Sequence, residues 1–199
     1  MKPNVLVLKT DGINCDEETA FAFKLANGNP KIIHINDLRS KKESLSNYQI
    51  LAIPGGFSYG DDVVSGKILA IELTSFFSEE LKKFTERKNT LIIGICNGFQ
   101  VLVRTGLLPF GNLGKMEATL TDNDSCRFEC RWVNLKIENN SRCVFLNNNL
   151  TMKQFNNLVS YQVAHGEGKF FTDPKTLEKI EKQNLVAFRY TDSGGNPTQ

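Results

Sequence analysis

Four short apolar runs mark the first half of the chain: Val5–Leu8, Lys31–Ile35, Ile50–Ile53 and Leu91–Ile95. Runs of four or five residues rich in Val, Ile and Leu, without polar alternation, suit strands buried on both faces, as in a parallel sheet. Amphipathic stretches lie between them. Asp16 to Asn27 places Ala20, Phe23 and Asn27 at helical spacing and ends at Asn27-Gly28, a good helix stop. Phe77, Leu81 and Phe84 form a second stripe, with Glu79, Glu80, Lys82 and Lys83 facing outward. Strand, helix, strand in this order predicts right-handed βαβ units and a sheet covered on both sides.

The second half has a different rhythm. Arg127 to Glu138 alternates, with Phe128, Cys130 and Trp132 on one face and then Val133, Leu135 and Ile137. The parity changes between Trp132 and Val133, which predicts a β-bulge there. One further strand is expected to end near Val163 and another to cover Leu185 to Tyr190, while Asp173-Pro174 opens a short helix. The predicted fold class is therefore α/β, a mostly parallel sheet flanked by helices with antiparallel strands appended. No repeat, low-complexity stretch or linker divides the sequence, so residues 1–199 read as a single domain. The final residues, Thr191 to Gln199, have loop composition and no element to close them.

Composition narrows the classes of function. At 199 residues a single core buries roughly 70% of the surface of the unfolded chain, so no metal or disulfide staple is needed. Twenty-four basic against 22 acidic residues leave a net charge of +2, which supplies no electrostatic footprint for nucleic acid or an anionic membrane. Val5–Leu8 is too short for a signal-peptide core, and no apolar run approaches the 18 or so residues of a membrane span. Five cysteines, odd in number and unpatterned, point to a reducing, cytoplasmic compartment. Cys126 and Cys130 lack zinc spacing and the only histidines are His34 and His165, so no metal is expected. His34, following Ile32-Ile33, reads as structural.

Three segments carry possible chemistry. The sharpest is Leu91-Ile92-Ile93-Gly94-Ile95-Cys96-Asn97-Gly98-Phe99-Gln100, a buried strand running through Gly-x-Cys-x-Gly into an amphipathic helix. This is the form of a nucleophile elbow with Cys in place of Ser, the two glycines relieving crowding around a strained turn. The Asn97 N–H, at the helix start, is one candidate oxyanion donor. The second segment, Ile53-Pro54-Gly55-Gly56-Phe57-Ser58-Tyr59-Gly60-Asp61-Asp62, follows another buried strand, where an open α/β sheet forms its ligand crevice. There the Gly56 N–H is the second candidate donor. The third is Val163-Ala164-His165-Gly166-Glu167-Gly168; on a strand, His165 and Glu167 would share a face. A cysteine nucleophile needs a base and the base an orienting carboxylate, so the residues alone nominate Cys96, His165 and Glu167 as a triad.

Taken together and in order, Pro54-Gly55-Gly56-Phe57-Ser58-Tyr59-Gly60-Asp61, Gly94-Ile95-Cys96-Asn97-Gly98-Phe99-Gln100 with Gly106-Leu107-Leu108-Pro109, and Val163-Ala164-His165-Gly166-Glu167-Gly168 resemble the glutaminases of phosphoribosylformylglycinamidine synthase. These are class I glutamine amidotransferases, with a flavodoxin-like sheet, and the likeness covers essentially the whole chain. The resemblance implies hydrolysis of the glutamine side-chain amide through a Cys96 thioester, with ammonia supplied to de novo purine biosynthesis. It implies no cofactor, and as partners L-glutamine and a large ATP-dependent synthase subunit, with or without a small accessory subunit. Gly55 and Gln100 are expected to contact glutamine. In this family the catalytic His and Glu come from a motif after the last strand, typically within Pro-His-Pro-Glu. No such segment occurs before Gln199, so the chain is expected to lack a C-terminal segment and to be a poor glutaminase. His165 and Glu167 then belong to the wall of the glutamine site. Two alternatives stay open: another cysteine hydrolase using Cys96, His165 and Glu167, and an inactive subunit kept for binding a synthase.

Overall fold

Asn4–Lys9 forms a strand (β1) whose middle four residues, Val5 to Leu8, are wholly buried. Around it, in a computed structural model that describes residues 2–146 and 157–198, the strands Asn29–His34 (β2), Ile50–Ile53 (β3) and Leu91–Gly94 (β4) complete a parallel sheet. The order is β2-β1-β3-β4, and the Val5↔Ile50 and Ile50↔Leu91 pairings set the register across its centre. All four sequence-predicted strands are present. Burial on both faces holds for β1 and β3, but β2 and β4 are edges and leave several positions partly open. Lys31–Ile35 is one residue too long as a strand, because Ile35 opens the short helix Ile35–Arg39 (α2). His34 caps that helix, its Nδ1 accepting the Asn36 N–H at 3.2 Å, which is the structural part expected of it.

Alternation along β1 feeds two cores. Leu6 and Leu8 face one side with Leu51, Ile53, Leu69, Leu81, Phe84 and Val101. Val5 and Val7 face the other with Ala52, Ala20 and Phe23. Each fully buried Leu or Val adds roughly 1.5–3 kcal/mol before entropy is counted. The helix Asp16–Leu25 (α1) covers the second side and ends in a left-handed turn. Asn27 takes the positive φ (64°), and the Gly28 N–H returns to the Phe23 carbonyl at 2.8 Å. On the first side lie Lys67–Ser75 (α3), Ser78–Glu86 (α4) and Asn97–Arg104 (α5). The Phe77, Leu81 and Phe84 stripe is buried as its spacing predicts, whereas α3 has no counterpart in the sequence reading.

The chain divides into two compact units, Met1–Thr119 and Leu120–Gln199. In the second, Glu129–Ile137 (β6) lies between Leu158–His165 (β7) and Phe188–Thr191 (β9), all antiparallel. A two-stranded sheet joins Thr119–Thr121 (β5) to Lys169–Phe171 (β8). The β6–β7 register runs unbroken from Glu129↔His165 to Lys136↔Leu158, so the bulge predicted at Trp132-Val133 does not exist. Parity changes because both faces of β6 carry apolar residues: Val133 and Ile137 are buried, while Cys130 and Trp132 point outward and Trp132 is 66% exposed. Pro174–Lys182 (α6) begins as predicted, the Asp173 carboxylate accepting the Lys175 and Thr176 N–H groups at 3.0 and 3.1 Å. The loop-like terminal stretch is a tight turn, with Asp192 accepting the Gly194 and Asn196 N–H groups and the Thr198 N–H reaching the Tyr190 carbonyl. No helix among the described residues is long and apolar enough to cross a membrane.

Candidate active site

Cys96 stands between the end of β4 and the start of α5 with φ 53° and ψ −112°, a conformation that side chains rarely adopt. Its residue is exposed, although the strand and helix on either side are packed. The flanking glycines are geometric necessities. A Cβ at Gly94 would lie 2.4 Å from the Gly98 carbonyl oxygen, and a Cβ at Gly98 would lie 2.0 Å from that of Ile53. The Ile95 N–H also bonds the Ile53 carbonyl at 3.0 Å, so the turn is seated directly against the end of β3. In the first turn of α5 the Gly98 N–H goes to Ile95, and those of Phe99 and Gln100 go to the Cys96 carbonyl. Asn97 precedes these at the helix start, where N–H groups have no carbonyl one turn back.

The loop after β3 is sewn to the loop after β1. The Phe57 N–H donates to Gly12 at 2.9 Å, the Tyr59 N–H to Asp11 at 2.8 Å and the Cys15 N–H to Gly55 at 3.4 Å. Gly56 has φ 130°, and a Cβ there would meet the Asn14 nitrogen at 2.7 Å, so only glycine fits between the two loops. A Cβ at Gly55 would sit 3.3 Å from the Cys96 Cβ and 3.8 Å from the Cys15 Sγ, which places both cysteines against this loop. Burial, followed by the charges of Glu18 and Cys96, raises the pKa of the Cys15 thiol.

A buried amide locks loop and elbow together. Asn97 is 2% exposed, and its Oδ1 accepts both the Ser58 N–H (3.2 Å) and the Ser58 hydroxyl (2.7 Å). Its Nδ2 donates to Asp61 Oδ1 at 3.0 Å and to Gln100 Oε1 at 3.1 Å. Asp61 also receives the Gly66 N–H at 3.0 Å, fixing the start of α3. Satisfied in this way, the network holds Tyr59, Gly60 and Asp61 in three successive positive-φ conformations. Gln100, expected to contact glutamine, is 9% exposed, and its Oε1 braces the Asn97 amide from within. The parts played by Ser58 and Asp61, and the approach of Cys15, are carried by contacts between separate loops and have no sequence signal.

In the second unit, His165 is the last residue of β7 and pairs across the sheet with Glu129. Its Nδ1 is 2.9 Å from Asn123 Oδ1, and the Asn123 amide donates to the His165 carbonyl at 2.8 Å. Asn123 Oδ1 also accepts the Gly168 N–H at 3.1 Å, so one side chain organises the whole turn. Glu167 lies in that turn, beyond the strand. The shared-face argument that paired it with His165 therefore fails, since strand alternation ends at His165. Gly55, Gly56, Cys96, Asn97 and Gln100 all belong to the first unit, His165 and Glu167 to the second. Among the described residues, no group of three or more His, Cys, Asp or Glu could hold a metal ion.

A family model of the CobB/CobQ-like glutamine amidotransferase domain matches residues 2–199. The chain belongs to this family. It is 43% identical to the phosphoribosylformylglycinamidine synthase subunit PurQ of Methanococcus maripaludis, over 98% of this chain and 69% of that protein. The subunit of the same name from Dehalococcoides mccartyi is 44% identical, over 98% of this chain and 71% of its own. Among solved structures, PurLQS from Thermotoga maritima superposes with a TM-score of 0.70 at 30% identity, covering 97% of this chain and 76% of that chain. The α/β fold with its parallel four-stranded sheet is thus the fold of a glutamine amidotransferase.

Proposed function

We propose that this chain is the glutaminase of a phosphoribosylformylglycinamidine synthase, working in the cytoplasm on L-glutamine and delivering ammonia to a large ATP-dependent synthase subunit. The supporting observation is the elbow: a cysteine held at positive φ by two glycines that admit no side chain, in a chain so similar to named subunits of that enzyme. The Cys96 sulfur attacks the amide carbon of glutamine. Negative charge gathers on the amide oxygen, and the N–H groups of Gly56 and Asn97 receive it; one such donor is typically worth 10² to 10³ in rate. Ammonia departs, water cleaves the thioester, and glutamate leaves. The ammonia then converts formylglycinamide ribonucleotide to the amidine on the synthase subunit. Gly55 borders the Cys96 side chain at its Cβ, while Gln100 acts from beneath by fixing Asn97. We read the two units as parts of one amidotransferase domain, because the family match runs through both.

Glutamate release in the presence of a synthase subunit is the test, with Cys96→Ser as the control. Turnover that survives Cys96→Ser would overturn the proposal. His165→Ala separates the two readings of that residue. A raised KM with kcat preserved fits a place in the glutamine-site wall, and a collapse of kcat fits the base of the simple triad.

A further inference from the structure

The one reactive group beside the elbow that glutamine hydrolysis leaves unused is a second thiol. Cys15 sits at the start of α1, on the loop hydrogen-bonded to Gly55, and is half-buried. Its Sγ and the Cys96 Cβ approach the same point above the Gly55 Cα, within 3.8 and 3.3 Å, and glycine leaves that point empty. Any other residue at position 55 would put its Cβ there. The Cys15 side chain has one polar contact, 3.4 Å from Asn14 Oδ1, and no cap bond to α1, so it can turn without breaking the helix start. Its backbone bond to Gly55, at 3.4 Å, is the longest of the three that join the two loops.

We propose that Cys15 is the resolving thiol for Cys96, the two forming a modification site at which a hydroperoxide closes a Cys15–Cys96 disulfide. The Cys96 thiolate attacks the O–O bond of hydrogen peroxide, taking one oxygen as a sulfenic acid while hydroxide leaves. The Cys15 sulfur then attacks the sulfenic sulfur, the S–S bond forms, and hydroxide departs with the Cys15 proton as water. Two thiols and one peroxide become one disulfide and two waters; sulfur is oxidised by two electrons and the peroxide oxygens are reduced. Exposure orders the steps, since Cys96 is open to the oxidant and Cys15 is half-buried. Burial also raises the pKa of the Cys15 thiol, which fits Cys96 as the one that meets the oxidant first. The disulfide occupies the sulfur that would attack glutamine, and a thiol reductant restores it.

Tryptic mass spectrometry of the full chain after treatment with a molar excess of hydrogen peroxide reads this directly, without reference to turnover. The expected product joins the peptides Thr10–Lys24 and Asn89–Arg104, disappears with dithiothreitol, and persists when Cys126, Cys130 and Cys143 are all replaced by Ser. In Cys15→Ser the cross-link is absent and Cys96 accumulates as sulfinic acid. Recovery of Cys96 as sulfinic acid in the unaltered chain, or its pairing with any cysteine other than Cys15, would overturn the proposal. Because the readout is mass, it stands or falls separately from the glutaminase reading.

Discussion

Cys96 differs from the other four cysteines in backbone before it differs in chemistry. It combines an exposed side chain, a positive φ and a position one residue before a helix, whereas Cys126 has a positive φ in a surface turn without either packed neighbour. A glutamine-like chloroketone should therefore modify Cys96 first, and mass mapping that finds all five cysteines labelled at equal rates would refute the assignment. The glycines make a second, independent test. In Gly98→Ala the new methyl meets the Ile53 carbonyl oxygen at 2.0 Å, which backbone movement alone can relieve. A loss of about 3 kcal/mol, at the upper end for overpacking, is expected in urea unfolding. Gly166→Ala, where the backbone is not left-handed and a Cβ would meet nothing within 4 Å, gives a control without the clash. At this scale the sequence showed what local spacing can show, namely Cys96 with Gly94 and Gly98 and the paired Gly55-Gly56. It could not show Ser58, Asp61, Cys15 or Asn123. Each of these acts across a gap between loops, and an isolated Asn or Ser in a turn carries no mark of what lies opposite.

Elements were legible where one periodicity prevailed. β1, β3 and the Phe77–Leu81–Phe84 stripe follow directly from apolar runs and helical spacing, and Asp173-Pro174 carries its own start signal. Legibility failed where two faces were both apolar. On β6 the outward Cys130 and Trp132 mimic a change of phase, and α3, with Ile68, Leu69, Ala70 and Leu73 in an almost continuous apolar run, hides its period. Elements are also where pH acts. Arg189 on β9 grips Glu181 of α6 with two bonds, at 2.9 and 2.5 Å, while its Nε reaches Glu138 at 2.6 Å. The Arg189 hydrogen bonds hold the Glu181 carboxyl below its usual pKa. A depressed carboxyl pKa stabilises the fold fully above the unfolded value of about 4.3, and that contribution vanishes as pH falls through the folded value. Glu181→Gln should thus cost up to about 1 kcal/mol at pH 7, the upper range for an exposed pair with bidentate geometry. The difference from the unaltered chain should close in acid. Thermal melts at pH 7 and pH 3 with the same gap would show that the side chain acts through packing alone.

Across the whole molecule the two units differ most in how they bury apolar surface. The first surrounds β1 with side chains that water does not reach, Leu6, Leu8, Leu51, Leu69 and Phe84 on one face and Val5, Val7 and Ala52 on the other. In the second unit, Leu120, Val133, Ile137 and Ile180 are the buried apolar residues among those described, while Tyr161, Phe171 and Tyr190 stay substantially open. Sheet hydrogen bonds protect an amide only as long as the packing above them resists opening, and fewer buried contacts lower the free energy of local opening. The 199-residue chain is therefore expected to unfold in two stages, even though one family match spans both units. Native-state hydrogen exchange should find the amides of β1 and β3 slowest, released only in global unfolding. Those of β6, β7 and β9 should exchange faster by roughly two orders of magnitude, as a sub-global opening of the second unit alone. Cys96 lies in the first unit, so its labelling by electrophile should persist in urea concentrations that already expose the buried Val133 and Ile137 of the second. If β1 and β6 amides exchanged at one common rate, and Cys96 labelling were lost together with the second unit, the chain would be a single cooperative body and the thin core of its second unit would carry no energetic consequence.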